Sequence, residues 1–181
     1  MKCLLCKTPT MQSVAVDPAL TVEQCTTCGG QWIPSRRYWA FLQESGLAGA
    51  AEIVAAPGAV PAPLDSTGAK LCPECAHFLH RYDVGHGVTF AVDRCNACGG
   101  FWLDAHEWPA LAARNLHTQM HLITSDAWQR EIDRQKRDEA RRRLMLEKLG
   151  PADFAEVHRI KQWLDSHPKK AELYAFLLGE S

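Results

Sequence analysis

Cys95-Asn96-Ala97-Cys98-Gly99-Gly100-Phe101-Trp102 follows Cys72-Pro73-Glu74-Cys75 after 19 intervening residues. The same pattern stands earlier in the chain. Cys3-Leu4-Leu5-Cys6 is followed, 18 residues later, by Cys25-Thr26-Thr27-Cys28-Gly29-Gly30-Gln31-Trp32. The two copies use all 8 cysteines. Each copy offers two C-x-x-C pairs at the separation of a structural zinc site, where four thiolates close a tetrahedron around the ion. The residue after the second cysteine of such a turn needs a backbone conformation that glycine reaches without a Cβ clash, and Gly29 and Gly99 stand there. The metal ligands are therefore expected to be Cys3, Cys6, Cys25 and Cys28 in one site and Cys72, Cys75, Cys95 and Cys98 in the other, with two zinc ions per chain. Iron suits the same soft tetrahedral sulfur set and is the alternative metal. Met1-Lys2 leads straight into Cys3 with no apolar leader. The expectation is thus a cytoplasmic chain with reduced thiols rather than disulfides. A thioredoxin-like redox pair wants a C-x-x-C in a βαβ pattern, which is absent.

The second copy, with Cys72, Pro73, Cys75, Cys95, Cys98, Gly99, Gly100, Trp102, Leu103, Asp104 and Glu107, resembles the TFIIB-type zinc ribbon of small bacterial proteins, a transcription-factor zinc finger. The first copy departs from it, with Leu4 for the proline, Pro34 for the aspartate and Arg37 for the glutamate. The resemblance implies a zinc-ribbon fold and no reaction. Its transcription label is fold-level analogy.

The chain of 181 residues has a formal charge of −1. Each zinc held by four thiolates adds −2, so two sites take −1 to −5, which weakens the general electrostatic case for nucleic acid. No stretch approaches the ~20 apolar residues of a membrane span. A ribbon of about 45 residues buries too little surface to stand alone, and the metal takes the place of a core.

The expected fold class is a small metal-stabilised α+β protein. Two tandem zinc ribbons, each a short β-hairpin with zinc knuckles followed by a short helix, precede a C-terminal α-helical region. Ribbon 1 covers 1–45, an Ala/Pro-rich linker 46–69, ribbon 2 70–115, a long charged helix 116–150 and a helical hairpin 151–181. In ribbon 1, Asp17-Pro18 turns a hairpin, Ser35 is a helix N-cap and Gly46 a stop. Ala-Pro-Gly-Ala-Val-Pro-Ala-Pro in the linker favours extended chain, although 47–56 has the composition to prolong the preceding helix. The ribbons are expected to be tethered rather than fused. In ribbon 2, Asp104 and Glu107 form a D-x-x-E capping box, with Pro109 pushing the helix start later. His77, His80 and His86 lie between cysteine pairs already complete without them, and His117 and His121 have i,i+4 spacing but no third ligand. Ser125-Asp126 caps the long helix and Gly150-Pro151 ends it. Pro168 opens the last helix.

The expected function is non-enzymatic: structural zinc holds two ribbons that present surfaces to a protein partner, in a transcription-related context. The C-terminal helices are apolar enough to self-associate. Direct DNA or RNA binding is the alternative, through Arg36, Arg37, Arg141, Arg142 and Arg143 and through the rings of Trp32, Tyr38, Trp39 and Phe41. A thiol redox sensor that releases zinc is a further one. No phosphate loop or Ser/His/Asp constellation speaks for an enzyme.

Overall fold

The computed structural model describes residues 1–8, 10–46 and 61–179. They divide into two units, Met1–Ile132 and Asp133–Ser181. Most of the linker, including 47–56, lies outside the described residues.

The first unit is built on one sheet. Strands β1 (Met11–Asp17) and β2 (Leu20–Cys25) form the first hairpin, and β3 (Gln31–Ile33) leaves the second knuckle. Strands β4 (Leu79–Gly85), β5 (Val88–Cys95) and β6 (Phe101–Leu103) repeat this arrangement. The strand order is β1-β2-β3-β6-β5-β4, so each ribbon supplies half of a six-stranded sheet. At its centre β3 pairs antiparallel with β6, with Trp32 opposite Trp102. The ribbons are fused, not tethered. The expectation of a tether rests on the Ala/Pro composition of the connecting segment, which says nothing of whether the strands it joins can pair.

The second glycine of each Gly-Gly explains the fusion. A Cβ on Gly30 would stand 2.3 Å from the indole of Trp102, and a Cβ on Gly100 would stand 2.3 Å from the indole of Trp32. Each ribbon thus lays its tryptophan on the bare backbone of the other. The first glycines do a different job: Gly29 and Gly99 have φ of 73° and 78°, the left-handed region that glycine enters freely.

Alternation along the strands gives the sheet two different faces. Trp32, Trp102 and the cysteines share one apolar cluster. Ile33, Phe101, Leu103, Leu20, Val22 and Val92 lie in the other, which receives the helices. Helix α1 (Ser35–Glu44) adds Tyr38, Phe41 and Leu42, and α2 (Glu107–Ala112) adds Trp108 and Leu111. Ser35 is the first helical residue, not the cap: Pro34 occupies the cap position and makes no side-chain bond. Pro109 does not delay α2, because it falls in the first turn, where its missing N–H has no partner to lose. A short 3-10 turn (His117–Gln119) and α3 (Met120–Ile123) complete the core.

Helix α4 (Asp126–Ser166) starts within this unit. Ser125 caps it, its Oγ accepting from the Trp128 N–H at 3.3 Å. Gln129 donates to the Asp83 carbonyl at 2.9 Å and accepts from its amide at 3.2 Å. The Trp128 indole donates to the Val84 carbonyl at 3.0 Å. These bonds cover the outer edge of β4 with a helix.

The second unit is helical. α4 breaks at Gly150, with φ 75° and ψ 165°, at the Gly150-Pro151 step that the sequence marks as its end. The Arg142 guanidinium stands 5.8 Å over the Phe154 ring, and Asp138, Arg141, Leu149, Val157 and Lys161 line one groove, so the second stretch lies back along the first. Helix α5 (Lys170–Leu178) starts two residues after Pro168. Tyr174 ties it back through a 2.9 Å hydrogen bond to Asp165.

Gly30→Ala and Gly100→Ala test the fusion. Each adds one methyl beneath an indole that cannot retreat, and each is expected to lose about 1–3 kcal/mol of stability, the usual range for overpacking. Chemical denaturation followed by tryptophan fluorescence measures it, with a single transition for both ribbons.

Candidate metal centres

Each cysteine set is assembled from two turns. In ribbon 1 the turn at 3–6 faces the turn at 25–28; in ribbon 2 the turn at 72–75 faces the turn at 95–98. The four Sγ atoms of each set lie within 4.8 Å of one another. The closest sulfurs are 3.5 Å apart in Cys3–Cys28, 3.5 Å in Cys72–Cys98 and 3.4 Å in Cys75–Cys95. A tetrahedron with metal–sulfur bonds of about 2.3 Å has edges of about 3.8 Å, so a small outward movement admits the ion. Backbone N–H groups point at the sulfurs: Cys6 at Cys3, Thr27 at Cys25 and Glu74 at Cys72, each at 3.4 Å. Such donors stabilise thiolate over thiol. Burial would raise the Cys25 thiol, but the Thr10 hydroxyl at 3.0 Å and the amides of its turn bring it down to about 6. Burial raises Cys28. All eight cysteines are free of disulfides. Both sets therefore fit a metal that takes four soft ligands, and between them they use every cysteine of the chain.

Residues 71–114 match the family model of the transcription factor zinc-finger, the TFIIB-type zinc ribbon. That segment is a zinc ribbon. No curated protein and no solved structure matches the chain. The strands, knuckles and glycine–tryptophan contacts of the first ribbon repeat those of the second.

The remaining candidates scatter. Arg36 is exposed at the start of α1, whereas Arg37 is held by Glu23 at 2.8 Å. Arg141, Arg142 and Arg143 are exposed on α4, in the second unit, with Arg142 stacked on Phe154. Trp32, Tyr38 and Phe41 are buried, and Trp39 alone of the four rings is exposed, at 44%. His77, His80 and His86 belong to neither cysteine set. His121 accepts or donates at 3.2 Å with the Tyr38 hydroxyl, and His117 packs between Phe41 and Trp108. Burial holds both histidines below their ordinary range.

The capping box forms only in part. Glu107 Oε2 accepts from the Asp104 N–H at 2.8 Å. Asp104 does not return the favour to α2, which begins at a left-handed His106 with no side-chain cap. Its carboxylate is engaged elsewhere. Oδ1 accepts from the Trp102 indole at 2.6 Å, and Oδ2 accepts from the Ser66 amide and hydroxyl, both at 2.5 Å. The end of the linker thereby docks on ribbon 2. The Leu64 N–H donates to the Ala105 carbonyl at 3.0 Å. Buried Lys70 donates to the Ser66 carbonyl at 2.7 Å and to Asp93 at 2.6 Å. Arg81 reaches Asp65 and the Ser66 carbonyl. The sequence signal for this network is Asp93 itself, a charge at the end of the apolar run Phe90-Ala91-Val92 that needs a partner once buried.

Because both cysteine sets and both indoles share one apolar cluster, Cys95→Ser is expected to lower metal binding at both sites, measured as metal per chain after gel filtration. Retention of one full equivalent would mean independent ribbons. Glu107 is pushed up to about 9 by burial, with Asp104, Asp65 and Asp93 adding to the rise. A carboxyl raised on folding is most favourable below its unfolded value of about 4.3 and loses stability as pH climbs towards the folded one. Glu107→Gln keeps the bond to the Asp104 amide without that dependence. Its melting temperature is expected to gain on wild type steadily from about pH 5 to about pH 9.

Proposed function

We propose that this protein is a non-enzymatic interaction module in which two zinc ions, one per four-cysteine set, hold the fused ribbons as a rigid platform for a protein partner. The observation that carries it is the closure of both sets by four sulfurs, which leaves a bound zinc no position for water or substrate. Of the carboxyl groups nearest in kind to an acid–base pair, Asp104 is held by Trp102 and Ser66, and Glu107 is buried and bonded to the Asp104 amide through one oxygen. Zinc supplies folding energy here rather than Lewis acidity.

Surfaces for a partner exist on each unit. In the first, Arg36 and Trp39 stand exposed on α1. In the second, Trp163, Phe176, Leu177 and Leu178 are largely exposed, which suits self-association as well as a foreign protein. A transcription-related setting is supported by the family of residues 71–114. Among the described residues no helix is long and apolar enough to cross a membrane.

Direct nucleic-acid binding is separated from this function by salt. Fluorescent single- and double-stranded oligonucleotides are titrated with the metal-loaded protein at low and moderate salt, with metal content measured on the same sample. The expected result is weak or no binding, because Arg37 is already paired with Glu23 and the closed sites add negative charge. Tight binding that falls steeply with salt and is lost in an Arg36/Arg141/Arg142/Arg143 charge-reversal variant overturns the module in favour of a nucleic-acid binder.

A further inference from the structure

Asp104 and Glu107 have a third acidic neighbour. Asp65, in the segment that docks on ribbon 2, joins them, and one carboxyl oxygen from each of the three lies within 4.8 Å of the others. Asp104 and Glu107 are 2% and 1% exposed, whereas Asp65 faces solvent. The cluster is thus built by two elements, the end of the linker and the corner between β6 and α2, and it is open to solvent through Asp65. Ribbon 1 has nothing equivalent, since Pro34 and Arg37 stand where ribbon 2 has Asp104 and Glu107.

Glu107 holds one oxygen in reserve. Its Oε2 accepts from the Asp104 N–H, but its Oε1 is buried and has no hydrogen-bond partner. Buried polar atoms are nearly always satisfied, so an orphan of this kind asks for a partner. The charges ask for one too. Asp65, Asp93 and Asp104 all lie close enough to act on Glu107. Among the described residues these four carboxyl groups meet two cations: Lys70, 2.6 Å from Asp93 and 4.0 Å from Asp104, and Arg81, 2.7 Å from Asp65. The set is short of two positive charges, at a depth where an unbalanced charge is costly. A proton on Glu107 supplies one of them. A divalent cation supplies both and gives Oε1 its partner.

The acceptor positions allow this. A carboxylate has about four. Asp65 spends two on Arg81, Asp104 spends three on Trp102 and Ser66, and Glu107 spends one, so each keeps at least one for an ion. Two oxygens on opposite sides of a calcium ion with bonds of about 2.4 Å stand about 4.8 Å apart, so three oxygens within that limit can share one ion while water completes its shell. An all-oxygen set suits a hard cation, in contrast to the two sulfur sets.

We propose that Asp65, Asp104 and Glu107 form a binding site for one hard divalent cation, calcium by size, which pins the end of the linker to ribbon 2. The site is separate from the zinc centres and independent of the interaction function above.

The test titrates the zinc-loaded full chain with terbium, which takes the oxygen ligands of calcium and emits when a nearby indole passes on its excitation. Trp102, bonded to Asp104 at 2.6 Å, is placed to sensitise it. The expected result is a tryptophan-excited signal that saturates at one ion per chain and is displaced by calcium. Asp65→Asn and Glu107→Gln are each expected to weaken calcium about tenfold or more, because each removes one charged ligand of three, while zinc content is unchanged. Asp65→Asn lies on the surface, so its loss of binding is not a loss of fold. Millimolar calcium is expected to raise the melting temperature of wild type and to leave that of Asp65→Asn where it was. Terbium or calcium bound equally by wild type and both variants overturns the site and assigns the ion to scattered surface carboxylates. A wild-type melting temperature that millimolar calcium does not move overturns it as well and leaves a proton as the partner of Glu107. Binding that survives Asp65→Asn but not Glu107→Gln overturns the pinning of the linker.

Discussion

Two indoles resting on two glycines hold the ribbon pair together. Trp32 lies over Gly100 and Trp102 over Gly30, at a spacing that leaves no room for a Cβ on either glycine. Both rings are fully buried. An indole withdrawn from water removes on the order of 200 Å² of surface, gross about 5 kcal/mol each at about 25 cal/mol per Å². A lone ribbon has no comparable surface to cover its tryptophan. The central β3–β6 pairing, the common sulfur-side cluster and the continuous helix-side core all follow from that reciprocal contact.

The cysteines, the knuckle glycines and the hairpins are legible in the sequence because each obeys a local rule. C-x-x-C spacing reports a metal, a glycine after it reports a left-handed turn, and alternating Val88, Phe90 and Val92 report a strand. The fusion is not legible, because its determinant looks like one of those local features. Gly30 and Gly100 stand beside glycines needed for their own turns, and nothing in the sequence says that the second of each pair faces a ring in the other ribbon. The same limit applies to Asp104. Its spacing to Glu107 suggests a cap, and half of the box forms, but the stronger claim on its carboxylate comes from Ser66 and Trp102, which no periodicity connects to it.

The two ribbons differ in how they satisfy their buried polar groups. Each indole N–H finds a carboxylate, but from opposite directions: Trp32 donates across to Glu74 at 3.2 Å, whereas Trp102 donates to Asp104 in its own ribbon. The counterpart of Glu74 is Leu5 and that of Asp104 is Pro34, so neither solution is available in the other half. Ribbon 2 pairs the buried Lys70 with Asp93, an arrangement strongly destabilised by removal of either partner, while ribbon 1 keeps its Arg37–Glu23 pair near the surface.

The order of the strands carries a consequence for how the chain reaches this state. The strand at the centre of the sheet from ribbon 1, β3, has its neighbour in β6, so the innermost ladder joins segments far apart in sequence. During synthesis the first knuckle pair emerges and can bind metal while Trp32 still has no floor. The half-made protein must carry an exposed indole and an unpaired strand until Gly100 and Trp102 leave the ribosome. Closing a loop of that length adds only modest entropy but delays the contact that completes both halves. Until then, the first ribbon is a nascent edge that depends on early metal capture, or on a chaperone, to avoid pairing with the wrong neighbour.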